Sequence, residues 1–343
     1  MRLLGVNYDV GTFVTRDRPS RETFDSDLVQ REMEIIKNDL HCNAIRIYGE
    51  DITRLKTAAE LALKHGLEVW FSPDLVNATE SEMLAYLAEC AQAAEALRQQ
   101  SPHIVFVVGR ELTFFMQGLV EGDTALDRMR TFTSIWRLIK STLVKGSFNK
   151  RLNAFLERAA QLVREHFHGQ LTYAAGSWEE VDWRLFDMVS VDYYRDALNK
   201  SRYREKLQAY FQPAKPVVIT EFGCCTYQGA DDKGSYGWAV VDWSKKPYQL
   251  KAELVRDENL QAEYLVELLD IFKAENVDGS FVFTFVMPSY PYSQTPLYDL
   301  DRASYSLVKS YSDCKGDIYP DMPWEPKQSF FAVAEHNARN ASD

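Results

Sequence analysis

Cysteine is sparse in this chain, and the five present (Cys42, Cys90, Cys224, Cys225 and Cys314) form an odd set with neither CxxC nor zinc-ligand spacing. A disulfide framework and a structural zinc site are thereby excluded as organising elements, and a reducing, cytoplasmic setting is expected. Six histidines occur, with no metal spacing beyond a weak HxH at His166 and His168, so no metal and no cofactor is expected. No apolar run approaches the ~20 residues of a bilayer span. The opening MRLLGVNYDVGTFV is broken by Asn7, Tyr8 and Asp9 before it could form a signal-peptide core. Positive charge is also short. Against 50 acidic residues stand 39 Lys and Arg, dispersed along the chain, and the net charge of −11 argues against nucleic-acid and anionic-membrane partners.

What is present is a regular alternation. Short β-branched or aromatic runs recur, each followed by a stretch of helical period, which is the mark of parallel βα units. The runs are Leu3 to Tyr8, Ala44 to Tyr48, Glu68 to Ser72, Ile104 to Gly109, Leu171 to Ala175, Met188 to Asp192, Val217 to Thr220 and Ser280 to Phe285. Between the first two, Leu28, Met33, Ile36 and Leu40 fall on one helical face, and the next helix has Asp51 as N-cap and Gly66 as stop. Later helices are expected over Glu80 to Gln99, Asn153 to Phe167, Tyr203 to Phe211, Asp257 to Glu275 and Gln328 to Arg339.

Eight strands with seven or eight helices predict an α/β fold, a single (β/α)8 TIM barrel filling residues 1–343 as one domain. A doubly wound sheet would generate the same alternation, but GVNYDVG after the first strand is not a GxGxxG phosphate loop. Long excursions at 112–150, 223–256 and 286–327 follow strands four, seven and eight, which puts all three on the C-terminal face where barrel active sites are built. Aromatic residues make up 13% of the chain, enough both to pack a core and to leave rings for stacking.

Charged residues at the ends of strands point into that mouth. Strand four runs into GRELTFF and strand seven into VVITEFGCC, placing Glu111 and Glu221 there. Two carboxyl groups are what glycosidic cleavage requires: one protonates the leaving oxygen, the other attacks the anomeric carbon, and a retaining pair stands ~5–5.5 Å apart. Either glutamate alone is as well explained by an ion pair, for instance with Arg46; two together, with few basic neighbours beyond Arg46 and Arg110, are less easily explained so.

The combination of GVNY on strand one, NAIRIY on strand two, a Glu ending strand four, VDYY on strand six and ITEFG on strand seven resembles the clan A glycoside hydrolases. The segment from Met33 to Asp74, together with EFGCC, looks most like the β-1,3-glucanosyltransferase and β-1,3-glucanase branches. The resemblance spans residue 3 to about 285. It implies a retaining glycoside hydrolase or transglycosylase acting on a carbohydrate substrate, with Glu111 as acid/base and Glu221 as nucleophile through a covalent glycosyl-glutamate. Arg46 would keep the nucleophile ionised and Tyr194 would donate its hydroxyl to the same carboxylate.

Tyr8, Asp74, Trp178 and Phe285 complete the expected substrate contacts, Phe285 standing where many members carry a tryptophan platform, with Phe281 and Phe283 as alternatives. Trp70, Asp74 and Trp178 are equally well read as packing. One residue departs from the pattern: the clan usually has Asn before the acid/base, bonded to the sugar 2-hydroxyl, and here it is Arg110, larger and always charged, which as a substrate-binding residue would donate to that hydroxyl instead. That departure motivates the competing reading, a catalytically silent barrel that binds a glycan or a protein partner.

Overall fold

The computed structural model describes residues 1–343 apart from 15–17, 135, 138–142, 144–145, 213 and 341–343. Eight parallel strands close into a barrel in which each strand pairs with the next and the last returns to the first. They are β1 (Leu3–Asp9), β2 (Ala44–Gly49), β3 (Glu68–Pro73), β4 (Ile104–Arg110), β5 (Gln170–Gly176), β6 (Val189–Asp192), β7 (Val217–Phe222) and β8 (Gly279–Val282). Nearly every residue of these strands is buried, as expected when one face meets the helices and the other meets the barrel interior.

Seven of the eight runs agree with the observed strands to within two residues at either end. The eighth is shorter than the expected Ser280 to Phe285. Beyond Val282 the chain leaves the regular ladder, and the amide of Phe285 and hydroxyl of Thr284 both donate to the Asn7 carbonyl, at 2.9 and 2.7 Å.

The barrel floor is filled by alternate inward residues, among them Leu3, Ala44, Trp70, Val105, Val218 and Phe281. The rings of Trp70 and Phe281 lie 4.9 Å apart, and a Cβ on Gly5 would sit 2.4 Å from the Phe281 ring. Only glycine fits there. Trp70 is therefore a floor plug rather than a contact at the mouth.

Outside the strands, helices α1 (Ser26–Asn38), α2 (Ile52–Lys64) and α3 (Glu80–Arg98) turn their apolar faces inward and start on Asp25, Asp51 and Thr79 caps. Gly66, at φ +72°, follows the end of α2. The β5–β6 connection departs from the expected alternation, because it holds only a 3₁₀ turn, Trp183–Leu185.

The three excursions rise on the face where the strands end. After β4 come a single helical turn, α4 (Leu112–Phe115), and α5 (Ala125–Phe132); residues 135, 138–142 and 144–145 of this excursion lie outside the described residues. Helix α6 (Phe148–His166) then leads to β5. Short helix α7 (Tyr203–Gln208) precedes β7, α8 (Glu258–Ala274) precedes β8, and α9 (Gln328–Asn340) ends the fold.

A buried cluster joins the excursions after β7 and β8. Arg256 pairs with Asp299 and Asp301 at 2.9 Å each, and Lys327 reaches Asp301 at 2.9 Å. Cys224 and Cys225 are both buried at the start of the β7 excursion, where the Cys225 thiol donates to the Ala303 carbonyl. Among the described residues no helix is long and apolar enough to cross a membrane.

Candidate active site

Period-two alternation on β1 turns Asn7 inward and Tyr8 outward, and the same rule on β2 turns Arg46 inward. Arg46 is wholly buried, and its Nη1 donates to Glu221 Oε1 at 2.9 Å, with Asn7 Oδ1 at 3.3 Å as a second acceptor. Asn7 in turn donates to the Thr220 carbonyl at 2.9 Å, so β1 and β2 together fix the end of β7. Tyr194, just past β6, donates its hydroxyl to Glu221 Oε2 at 3.2 Å. Each oxygen of Glu221 thus faces a donor, one of them a full cation.

Glu111 sits in the opposite environment. It follows β4 in a left-handed conformation (φ +39°, ψ +45°), unusual for a residue with a side chain, and opens the short α4. The amide of Glu111 donates to the Ala174 carbonyl at 2.9 Å. The next two amides would be orphaned at a helix start, but side chains take them up. Leu112 N donates to the Tyr173 hydroxyl at 2.8 Å and Thr113 N to Glu179 Oε1 at 3.1 Å.

Glu179 is the keystone of this turn. It also accepts from Thr113 Oγ1 at 2.6 Å, from the Tyr173 hydroxyl at 2.8 Å and from Gly176 N at 3.0 Å. Burial pushes the Glu111 carboxyl well above the usual carboxylate range, and the neighbouring carboxyl groups of Asp192 and Glu221 push it further in the same direction.

Arg110 does not point a free charge at the site. Its Nε and Nη2 both donate to Asp74 Oδ2, at 3.1 and 2.8 Å, and its guanidinium lies 4.0 Å from the centre of the Phe115 ring. Asp74 is accordingly the partner of Arg110. Trp178 lines the mouth, with its ring 4.3 Å from that of Phe114 and its indole N–H donated to Thr113 Oγ1 at 2.9 Å.

Two expected contacts are not brought to the site. Tyr8 points out of the barrel and is fully buried between β1 and α1, where its hydroxyl donates to Glu32 and accepts from Arg21 at 2.8 Å. Phe285, also fully buried, packs edge-on against Trp324 at 5.4 Å because the chain has already left the β8 ladder. Phe283, two residues earlier, lines the mouth instead, 6.1 Å from the ring of Tyr48.

Sequence reasoning passed over Asn7, Asp192, Tyr48 and Glu179. The first three lie inside the quoted GVNY, VDYY and RIY strings, and inward parity on their strands was the available signal. Asp192, ending β6, is buried 3.9 Å from Arg46 Nη1, and burial with the neighbouring Glu221 charge raises its carboxyl well above the ordinary range. Nothing local marks Glu179, whose partners are brought together only by the turn after β4.

Glu111 and Glu221 open into one cavity of about 910 Å3, walled by the three excursions and the segment after β1. Its aromatic lining is heavy, with Tyr48, Trp178, Tyr236, Trp238 and Trp243 among the rings. No group of three His, Cys, Asp or Glu suited to a metal ion occurs among the described residues.

No protein-family model matches this chain, and no curated protein matches it. Solved structures do. A GH113 β-1,4-mannanase superposes with a TM-score of 0.62 at 13% identity, covering 98% of this chain and 99% of the other. The GH113 β-mannanase AaManA of Alicyclobacillus acidocaldarius gives 0.55 at 16% identity, covering 98% and 97%. The endo-1,4-β-D-mannanase of Thermotoga petrophila RKU-1 gives 0.53 at 10% identity, covering 99% and 100%. At such identities the likeness is one of fold: the chain has the barrel of these clan A glycoside hydrolases along nearly its whole length. These matches do not extend to the β-1,3-glucan branches that EFGCC resembles.

Proposed function

We propose that the protein is a retaining glycoside hydrolase, with Glu221 as nucleophile and Glu111 as general acid and base. The observation that carries this reading is the contrast between two carboxyl groups in one cavity. One is bonded to a buried guanidinium and a phenol, and the other is kept protonated by burial and neighbouring negative charge. Carboxyl groups whose environments push them apart are what divides acid from nucleophile.

In the first step Glu221 Oε attacks the anomeric carbon while Glu111 gives its proton to the departing glycosidic oxygen, leaving a glycosyl ester on Glu221. In the second, Glu111, now ionised, takes a proton from water, whose oxygen displaces Glu221 and returns the anomeric configuration to its starting sense. An acceptor alcohol in place of that water gives transglycosylation. Pairing of Arg110 with Asp74 weakens the case for a silent barrel, since the charge of Arg110 is already answered.

The test uses activated 2-fluoro β-glycosides and mass spectrometry of the intact protein. A stoichiometric sugar adduct that maps to Glu221 and is absent from Glu221→Ala is expected. Azide should restore turnover of an aryl β-glycoside to one of Glu111→Ala and Glu221→Ala. Wild-type rates in both variants would remove the assignment.

A further inference from the structure

The leaving group of a retaining hydrolase lies on the side of its acid, because that carboxyl must reach the glycosidic oxygen at hydrogen-bond distance. Resting on the roles proposed above, the wall beside Glu111 therefore decides which aglycone is accepted. Apart from Glu111 and Arg110, every lining residue that the described part of the β4 excursion contributes is apolar: Phe114, Phe115, Leu126 and Met129.

The polar atoms of Trp178 and Thr113 on this wall are already bonded within the fold. The indole N–H of Trp178 is donated to Thr113 Oγ1, and that hydroxyl is donated to Glu179. Arg110 commits two of its nitrogens to Asp74 and rests on the Phe115 ring. Val14, from the segment after β1, extends the same apolar cluster, and Met287 and Pro288 of the β8 excursion line the same cavity.

A sugar in this position would bury hydroxyls that find no partner on the β4 wall beyond Glu111 and Arg110, and each hydroxyl left without one is costly. An aryl or alkyl group would bury only apolar surface. We infer that the enzyme acts on β-glycosides of aromatic or alkyl alcohols, its Glu111 side being an aglycone site built from Phe114, Trp178, Leu126 and Met129.

The experiment compares methyl, hexyl and octyl β-glycosides with the matching disaccharide, in both the gluco and manno series, on the full chain. The alkyl alcohols have similar acidities, so differences in kcat/KM report binding of the chain and not leaving-group chemistry. Burial of each methylene supports a gain of up to about fourfold, so hexyl is expected to exceed methyl by at least about tenfold, with the disaccharide no better than methyl.

Met129→Asn and, independently, Leu126→Asn are each expected to shrink the hexyl-to-methyl ratio severalfold, with melting curves identifying any variant that fails to fold. Glu221-dependent turnover in which the disaccharide outruns octyl overturns the aglycone site while leaving the hydrolase reading in place. Turnover of every member that persists in Glu221→Ala removes the hydrolase reading, and the aglycone site with it.

Discussion

Replacing Glu179 by Gln changes one atom and one charge, and the surrounding geometry makes its effect calculable. Glu179 Oε1 receives the Thr113 amide and hydroxyl, and Oε2 receives the Gly176 amide and the Tyr173 hydroxyl. Each oxygen thus faces one backbone N–H, which cannot turn away as a hydroxyl can. A carboxamide has a single oxygen, so whichever way the new side chain is placed its NH2 opposes one of those N–H groups. Loss of one charge-assisted bond and the stranding of a buried donor cost about 2–4 kcal/mol. With about 2.1 cal/mol/K of unfolding entropy per residue over 343 residues, that becomes a fall in Tm of about 3–6 °C. The amide of Thr113 is two residues from Glu111, so the acid loses its position as well, and a drop in kcat of about tenfold to a hundredfold is expected. The Glu179 charge also helps to raise the Glu111 carboxyl. Removing it should move the alkaline limb of the pH–rate profile to lower pH. Differential scanning calorimetry and a pH series on an aryl β-glycoside read all three quantities. A Tm within about 1 °C of wild type, with the alkaline limb unmoved, would refute the keystone role.

Arg46→Met leaves Glu221 buried without its cation, so about 3–5 kcal/mol of stability and nearly all turnover should be lost, whereas Tyr194→Phe, removing a 3.2 Å bond, should lower kcat/KM about fivefold to tenfold with Tm almost unchanged; steady-state kinetics and thermal melts separate the two. Glu111 holds its proton more tightly folded than unfolded, so its contribution to stability is full below the unfolded carboxyl value of about 4.3 and is lost as pH rises toward the folded value. Glu111→Gln should therefore flatten the alkaline fall in Tm, as melting across a pH series would record. Arg110→Met strands the Asp74 carboxylate and should cost about 3–5 kcal/mol, much of which Arg110→Met combined with Asp74→Asn should recover in chemical unfolding.

The strands could be read from the sequence because both faces of each are buried, which leaves near-continuous apolar runs bounded by polar turns. Glu111, Glu221 and Tyr194 were legible for a related reason: they stand at strand ends or just beyond, where chain direction alone fixes the mouth, while Arg46, inside β2, follows from inward parity. Tyr8 and Phe285 were misplaced because strand parity and the early end of β8 decide which side a ring takes, and neither is written in composition. Glu179 was invisible for a deeper cause. Its four donors come from Thr113, Tyr173 and Gly176, a set that exists only once the turn after β4 has met the end of β5. The 3₁₀ turn in place of a helix between β5 and β6 likewise carries no strong local signal.

The anchors of Glu221 come from the far end of the chain. Arg46 lies 175 positions from it, and Asn7 lies 213 positions from the Thr220 carbonyl it holds. Such contacts pay their loop-closure entropy late, after local βα units have formed. A nascent chain that has already made β1 to β6 has therefore placed Glu111, the proposed acid, without Glu221, the proposed nucleophile, and Glu221 is not anchored until β7 has joined the barrel within reach of Arg46 and Asn7. Chemical competence arrives with barrel closure as a single late event. Partly folded forms of this chain, on the ribosome or in denaturant, should be inert toward substrate however much secondary structure they hold.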